Sequence, residues 1–348
     1  MLSLDYEGFE FFNFLLMGTF YELVWLWQRF VRRKIGIAKI TTPSVSINQV
    51  DLDIVTASNS LRDVRVLTTY KKPLNSYYEI IKLRKPILNP KTGVIWIKKH
   101  ILEESTVYPV SKLLKWEPVP IFYQKVSGSS INLPDNGYYH FVIEDLPRFY
   151  EASRDQEFNQ IVIGSQSKYI TDTLGFLKIK NFMVKKYPIR CETLIFSEKN
   201  IGGIFSKFDH AMLLDFSNRI KPIDNNQILF IDRRNKQKGY FDRGIEYADL
   251  IASKFKGLNI RKVYLEDLSF TEQISLVKSS KLVIGFHGAG LANIVWIDHP
   301  IKIFEITEER IMGHFEHISS VCGHEYTMLK ASKLAKYSDV QISKLFNC

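Results

Sequence analysis

The spacing of hydrophobic residues changes along the 348-residue chain, and each change predicts a different kind of element. The most apolar and aromatic stretch is 9–31, FEFFNFLLMGTFYELVWLWQRFV, followed by Arg32, Arg33 and Lys34. At about 100° per residue, Glu10, Asn13, Glu22, Gln28, Arg29 and Arg32 share one half of a helix. The other half is mainly Phe and Leu with Trp27, while Phe14, Met17 and Trp25 fall among the polar positions. Residues 1–35 are therefore expected to form an apolar, amphipathic N-terminal helix of their own. A spanning helix needs roughly 20 mostly apolar residues, and the four polar residues Glu10, Asn13, Glu22 and Gln28 interrupt this one. The pattern suits a helix lying in a membrane interface, with residues 9–34 as the contact surface and basic side chains against anionic lipid. It suits equally a helix packed on the protein's own body or on a second copy, which would make a homo-oligomer. No basic region precedes the stretch and no small-residue cleavage site follows it, so it does not read as a secretory signal.

Between residues 36 and 124, short β-like runs at 64–67, 94–98, 107–110 and 119–123 alternate with proline and asparagine breakers, a β-rich lead-in. Residues 127–137, rich in Ser, Gly and Asn, read as a loop, out of which a helix begins at Tyr138; Pro147 is expected to end or kink it. Runs at 161–164, 182–184 and 193–196 around a helical stretch at 167–177 continue a strand–helix–strand rhythm. The polar segment 217–227, SNRIKPIDNNQ, is the best boundary, giving an N-terminal domain over 36–216 and a C-terminal one over 217–348. Beyond it the alternation is clearest, with strands at 228–231, 262–265, 282–286 and 301–306 and helices at 245–255 and 270–278. Strands alternating with helices predict an α/β fold with a Rossmann-like parallel sheet.

The ends of these strands carry the chemistry. The apolar run 282–286 is the kind a strand buried on both faces shows, and it breaks into His287-Gly288-Ala289-Gly290 before a helix-like resumption. Glycines between a strand and a helix N-terminus allow close approach of an anion to backbone N–H groups. The duller alternative is a tight turn with a core-packed histidine. Arg233 and Arg234 end another strand and suit a diphosphate, since guanidinium grips phosphate oxygens in a fork; alone they would read as a solvated pair. Glu266 and Glu305 lie at or near other strand ends. In the helix from Tyr138, His140 and Glu144 are four apart on one face, as a general base and its orienting partner would be, or as an ordinary surface pair. Neither a G-x-G-x-x-G nor a Walker lysine motif occurs, which excludes the usual dinucleotide dehydrogenases and P-loop NTPases.

A formal net charge of +10 points to an anionic partner. The basic residues are scattered and form no zinc-finger, RNP or basic-zipper pattern, so nucleic acid is not expected. The three cysteines, Cys191, Cys322 and Cys348, are too dispersed for a disulfide framework or structural zinc. Asp51-Leu52-Asp53, the one Asp-x-Asp, reads as two solvated residues of the lead-in.

Three segments in order resemble glycosyltransferase family 61: GYYHFVIEDLPR; ILFIDRR with the downstream Arg243; and LEDLSFTEQISLVKSSKLVIGFHGAGLAN followed by IFEI. Asp232 stands where that family more often has serine. The resemblance implies a GT-B-like fold, two Rossmann-like domains facing a cleft. It implies that Arg233, Arg234, His287, Gly288, Ala289, Gly290, Asn293 and Glu305 hold the donor diphosphate, while His140 and Glu144, from the N-terminal domain, face the acceptor. Asp145, Arg243 and Glu266 are secondary candidates. The implied reaction is inverting transfer from a nucleotide sugar, UDP-linked, to a glycan or lipid-linked saccharide of a bacterial surface polysaccharide (capsular, O-antigen or exopolysaccharide). No metal and no cofactor are expected, and the site of action is the cytoplasmic face of the cell membrane. The alternative is a catalytically silent relative that binds nucleotide sugar or glycan within a membrane assembly.

Overall fold

The computed structural model describes residues 36–38, 66–70, 80–97, 100–102, 105, 120–154, 156–197, 205–223, 227–233, 243–256, 258–309 and 313–346. The expected N-terminal helix, Asp51 to Asp53, the run at 107–110, residues 224–226 of the boundary segment, and Arg234 lie outside them. The described residues fall into two compact units, the first within 1–134, 156–165 and 183–203, the second within 135–155, 166–182 and 204–348. Among the described residues no helix is long and apolar enough to cross a membrane.

The first sheet is mixed. Its described strands are β1 (Gly36–Ala38), β2 (Val66–Tyr70), β3 (Ile80–Arg84), β4 (Ile87–Leu88), β5 (Ile95–Ile97), β6 (His100–Leu102), β7 (Gln124–Leu133), β8 (Gln160–Ile163), β9 (Phe182–Val184) and β10 (Ile189–Ser197). The order β1-β6-β5-β4-β10-β7-β8-β9 runs through most of them, with β2 pairing β3 and β3 pairing β10. Ile81, Leu83, Ile95, Ile97, Val126, Val162 and Leu194 form its core. Two expectations fail here. The run at 119–123 is irregular from Pro120 to Tyr123, and most of the expected loop 127–137 is the body of β7, paired in parallel with β10 and β8. Its serines are small enough to lie within a sheet, and their polarity is satisfied in place. Ser129 N and Oγ donate to Asn159 Oδ1 at 2.8 and 2.9 Å, and Gln160 Nε2 donates to Ser130 Oγ at 3.1 Å. Gly128, at φ +73°, lies close to the point where the register with β10 shifts, a bulge position at which glycine is easily accommodated.

The second unit holds a parallel sheet of β11 (Gln227–Ile231), β12 (Ile260–Val263), β13 (Ser280–Phe286), β14 (Lys302–Thr307) and β15 (Glu325–Lys330), in the order β12-β11-β13-β14-β15. β13 is central, and Leu282 to Phe286 are buried throughout, as their unbroken apolar run predicts. The helices of this unit are α1 (three consecutive pieces from Tyr138 to Arg154, described below), α2 (Lys168–Phe176), α3 (Lys207–Ser217), α4 (Ala248–Lys254), α5 (Phe270–Lys278), α6 (His314–Cys322), α7 (Ala331–Leu334) and α8 (Asp339–Phe346). Phe230, Phe255, Ile284, Phe286, Phe304, Ile342 and Phe346 pack one face of the sheet.

The boundary expected at 217 does not separate the compact units. Residues 135–155 and 166–182, assigned from the sequence to the N-terminal domain, group with the second unit. Aromatic packing explains this: Phe141 lies against Phe270 at 5.8 Å and Phe176 against Phe216 at 5.1 Å between ring centroids. From β11 the chain moves outward to β12, then returns across to β13 and continues through β14 and β15. Strand order thus reverses between β11 and β13, and the crevice beyond the carboxyl ends of those two strands is where ligands bind in open α/β sheets.

Candidate functional site

β11 ends in Asp232 and Arg233. Asp232 is buried; its carboxylate accepts from Arg233 N at 2.8 Å and from Lys262 Nζ at 2.7 Å, so the residue that departs from the family's serine anchors the strand end. Arg233 then reaches across to the end of β13, where its Nη1 donates to the His287 carbonyl at 2.5 Å. Gly288 makes this possible: a Cβ there would sit 2.1 Å from Arg233 Nη1 and 2.9 Å from Cζ. Arg243 converges on the same place. Burial and then the charge of Arg243 lower the pKa of Arg233, against a weaker opposing pull from Glu266. Arg243 Nε is buried and makes no hydrogen bond. Gly244 behind it has φ +65°, and its missing side chain leaves room for Ala331, whose Cβ would lie 2.2 Å from an added one. Two partly desolvated guanidiniums held together form a site for a polyanion.

The glycine turn leads not into an α-helix, as expected, but into a 3₁₀ segment, Ala289–Trp296. Leu291 N bonds Gly288 O at 3.0 Å, the tighter three-residue step. Asn293, expected at the donor, is 0% exposed. Its Oδ1 accepts from Trp296 Nε1 at 3.0 Å and lies 2.8 Å from the Tyr138 hydroxyl, and its Nδ2 donates to Gly290 O at 3.0 Å. It holds the turn in shape from inside. Glu305 is likewise committed: one carboxylate oxygen meets His287 Nδ1 and the other accepts from the Tyr326 hydroxyl. It therefore orients His287 and leaves contact with a ligand to the imidazole.

α1 begins as Tyr138–His140, passes through a π turn, Phe141–Asp145, and continues as Leu146–Arg154. Pro147 does not end the helix. It follows directly on the π turn, where Leu146 N bonds Phe141 O five residues back, so the hydrogen-bond step changes beside the one residue with no N–H to give. In this geometry His140 Nδ1 lies 3.0 Å from Glu144 Oε1, with 29% of the histidine side chain exposed but only 8% of the glutamate's. The histidine is the member that a substrate can reach. Asp145 is enclosed instead, bonded to Arg148 Nη2 and Asn136 Nδ2, each at 3.2 Å.

One residue of this group escaped sequence reasoning. His314 opens α6 after Gly313, itself at φ +64°. The Tyr139 ring lies 5.4 Å from the His140 ring and 5.8 Å from the His314 ring, and Phe315 touches both Tyr139 (5.9 Å) and His287 (5.4 Å). His140–Glu144 and His287–Glu305 thus converge on His314, whose pKa is lowered by burial and then by the charges of His287 and His140. A histidine nine residues past Glu305 gives no periodic signal; a glycine before a helix start is the sole hint. Among the described residues no group of three or more His, Cys, Asp or Glu side chains is placed to hold a metal ion.

On the other flank of the glycine turn is a pocket of about 440 Å³ lined by Tyr138, Tyr169, Phe270, Glu266, Ala289 and Gly290 among others. Its size lies within the usual range for small-molecule sites, roughly 300–1,000 Å³.

Residues 138–304 match the family model described as Glycosyltransferase 61. The matched region begins with the tyrosine of α1 and ends in β14, enclosing the His140–Glu144 pair, Arg233 and the glycine turn. The chain is also similar to the EGF domain-specific O-linked N-acetylglucosamine transferase of Drosophila melanogaster, with 28% identity over 106 residues. That alignment covers 30% of this chain and 20% of the relative, so the chain spans about a fifth of that protein's length. Both matches are to glycosyltransferases, and glycosyltransferases are what this part of the chain is similar to.

Proposed function

We propose that the chain is an inverting glycosyltransferase that moves a sugar from a nucleotide-sugar donor, UDP-linked, to a hydroxyl of a growing glycan. The observation that carries this is the pairing, within one compact unit, of a two-arginine anion site at the strand switch with an exposed imidazole backed by a buried carboxylate. The acceptor hydroxyl oxygen attacks the anomeric carbon as the bond from that carbon to the diphosphate oxygen breaks. His140 takes the hydroxyl proton on Nε2, the lone pair left when Glu144 holds Nδ1–H. Arg233 and Arg243 receive the charge that gathers on the departing diphosphate, which makes a metal-independent reaction chemically reasonable. Inversion follows from displacement in a single step. The chain is further read as a GT-B-type enzyme of bacterial surface polysaccharide synthesis on the cytoplasmic face of the membrane, with residues 9–34 as the docking segment; the basic charge and the resemblance support this.

A thermal-shift panel of UDP, GDP, CMP, CDP and their sugars tests the reading, since a ligand that binds only the folded form raises the melting temperature. One nucleotide and its sugar should each give a clear shift, and Arg233→Ala should weaken that binding by about tenfold or more, as for a hydrogen bond to a charged group. A flat panel with folded protein would replace this reading with the silent scaffold.

A further inference from the structure

α1 carries a buried charge that the anion site and the base leave unused. Arg148 is 6% exposed and lies about one turn past Glu144 and Asp145, two buried carboxylates adjacent in the chain. Neighbouring carboxylates out of water push each other towards the protonated form unless a cation stands beside them. Arg148 supplies that cation. Its Nε donates to the Glu144 carbonyl, its Nη2 donates to Asp145 Oδ1 at 3.2 Å, and its Nη1 is buried with no hydrogen bond. One planar fork thus grips both charged residues of the π turn. Burial lowers the Arg148 pKa to about 10 against the pull of Asp145 and then of Glu144, so the guanidinium is charged at neutral pH. The turn is placed to need such a tie, because Leu146 N reaches back five residues to Phe141 O and Pro147 has no N–H to continue the ladder.

Other titratable groups face the turn from its own helix and from three more. Glu144 meets His140 at 3.0 Å, and its charge is felt by the Tyr139 hydroxyl and by His314 of α6. Asp145 accepts from Asn136, and its charge is felt by Tyr169 of α2. Glu151 is buried further along α1, and Asp215 of α3 is bonded to Tyr150 and Arg154. Burial raises the pKa of Tyr139 and of Tyr169, so both keep their protons. We infer that Arg148 is a positioning residue for proton transfer: it holds Glu144 ionised and its backbone fixed, so that Glu144 accepts Nδ1–H of His140 and Nε2 stays free for the acceptor's proton. The inference rests on the reading of His140 as the base. A protonated Glu144 would donate to Nδ1 instead, and the ring hydrogen would then stand on Nε2, where it blocks proton uptake.

The test reads the His140 tautomer directly, by nitrogen NMR of the histidine-labelled full chain over a pH series, and needs no substrate. The parent should show the Nδ1–H tautomer wherever the His140 ring is neutral. Arg148→Met, which keeps the length and removes the charge, should lose that tautomer at neutral pH and regain it about one pH unit or more higher, where Glu144 ionises without its cation. Arg148→Lys keeps the charge and loses the fork, so it should keep the tautomer while its melting temperature falls. Folded Arg148→Met with the parent's tautomer at every pH overturns the inference. So does folded Arg148→Lys with the tautomer lost, and this variant decides the matter if Arg148→Met does not fold. Turnover of the nucleotide sugar that the thermal-shift panel selects separates the two readings. In Arg148→Met, kcat at neutral pH should fall about tenfold or more, with its acid limb moved to higher pH and donor KM little changed. A changed tautomer with turnover intact would leave the tie on Glu144 standing and overturn His140 as the base.

Discussion

On the proposed reading the residue that decides the chemistry is Glu144, because its burial divides labour within the pair. A carboxylate with 8% of its side chain exposed cannot meet an acceptor sugar, but it can fix the tautomer of a histidine that does. Glu144→Gln keeps the shape and removes that control, since an amide N–H₂ can donate to Nδ1 and turn the basic lone pair away from the substrate. Turnover should fall by about 10²-fold or more, the typical contribution of general base catalysis, while donor affinity from titration stays close to that of the parent. Collapse of donor affinity together with turnover would mean that Glu144 supports the arginine site instead. The spacing of His140 and Glu144 was legible because four residues along a helix bring side chains together whatever the rest of the fold does. His314 was not, because Tyr139, His140 and His287 come from distant places in the chain and meet it only after folding.

At the scale of elements, the most consequential is α5, which starts at the residue its capping box dictates. Ser269 Oγ accepts from Glu272 N at 3.3 Å, and the Glu272 carboxylate accepts in return from Ser269 N at 2.7 Å. That start sets Phe270 against the aromatic cluster of α1 and turns Gln273 towards Tyr138. Loss of an N-cap costs about 1 kcal/mol, or roughly 2–4 °C in a body of this size. Ser269→Ala should lower the melting temperature by that amount and Ser269→Asp should restore it; equal stability of the two variants would show that tertiary packing alone fixes the helix start. The strand–helix alternation made α5 readable to the residue, and the apolar run made β13 readable. β7 was hidden for a physical reason: Ser, Gly and Asn are turn formers in isolation, and they become strand residues here because Asn159 and Gln160 satisfy the serines and the bulge takes Gly128. The 3₁₀ form after the glycine turn was equally hidden, since it depends on Asn293 bonding Gly290 O, Trp296 and Tyr138 at once.

At the scale of the whole molecule, the described histidines with lowered pKa values set how stability responds to pH. His210, His314 and His324 all have pKa values lowered, first by burial; His210 and His314 are then also repelled or supported by nearby groups, and His324 feels the charge of His210. His210 and His324 share a further feature. His324 Nε2 bonds Ile294 O at 3.2 Å, while its Nδ1, like Nε2 of His210, is buried with no partner, so a second proton on the His324 ring would have nothing to bond. The folded chain therefore refuses protons that the unfolded chain accepts near the ordinary histidine value, and stability must fall as pH drops through that region. Asp209 works in the opposite sense. Burial raises it to about 7, so the folded form holds a proton that the unfolded form has already released, and its contribution declines as pH rises towards 7. Three groups act against one between pH 5.5 and 7.5, so the melting temperature should be several degrees lower at about pH 5.5 than at about pH 7.5. His324→Gln keeps a donor for Ile294 O and removes one titrating ring, along with its repulsion of His210. It should flatten the pH slope, with its largest effect on the acid side. A slope unchanged by His324→Gln would assign the acid sensitivity to His210 and His314, and a melting temperature that rises on acidification would make Asp209 the dominant titrating group.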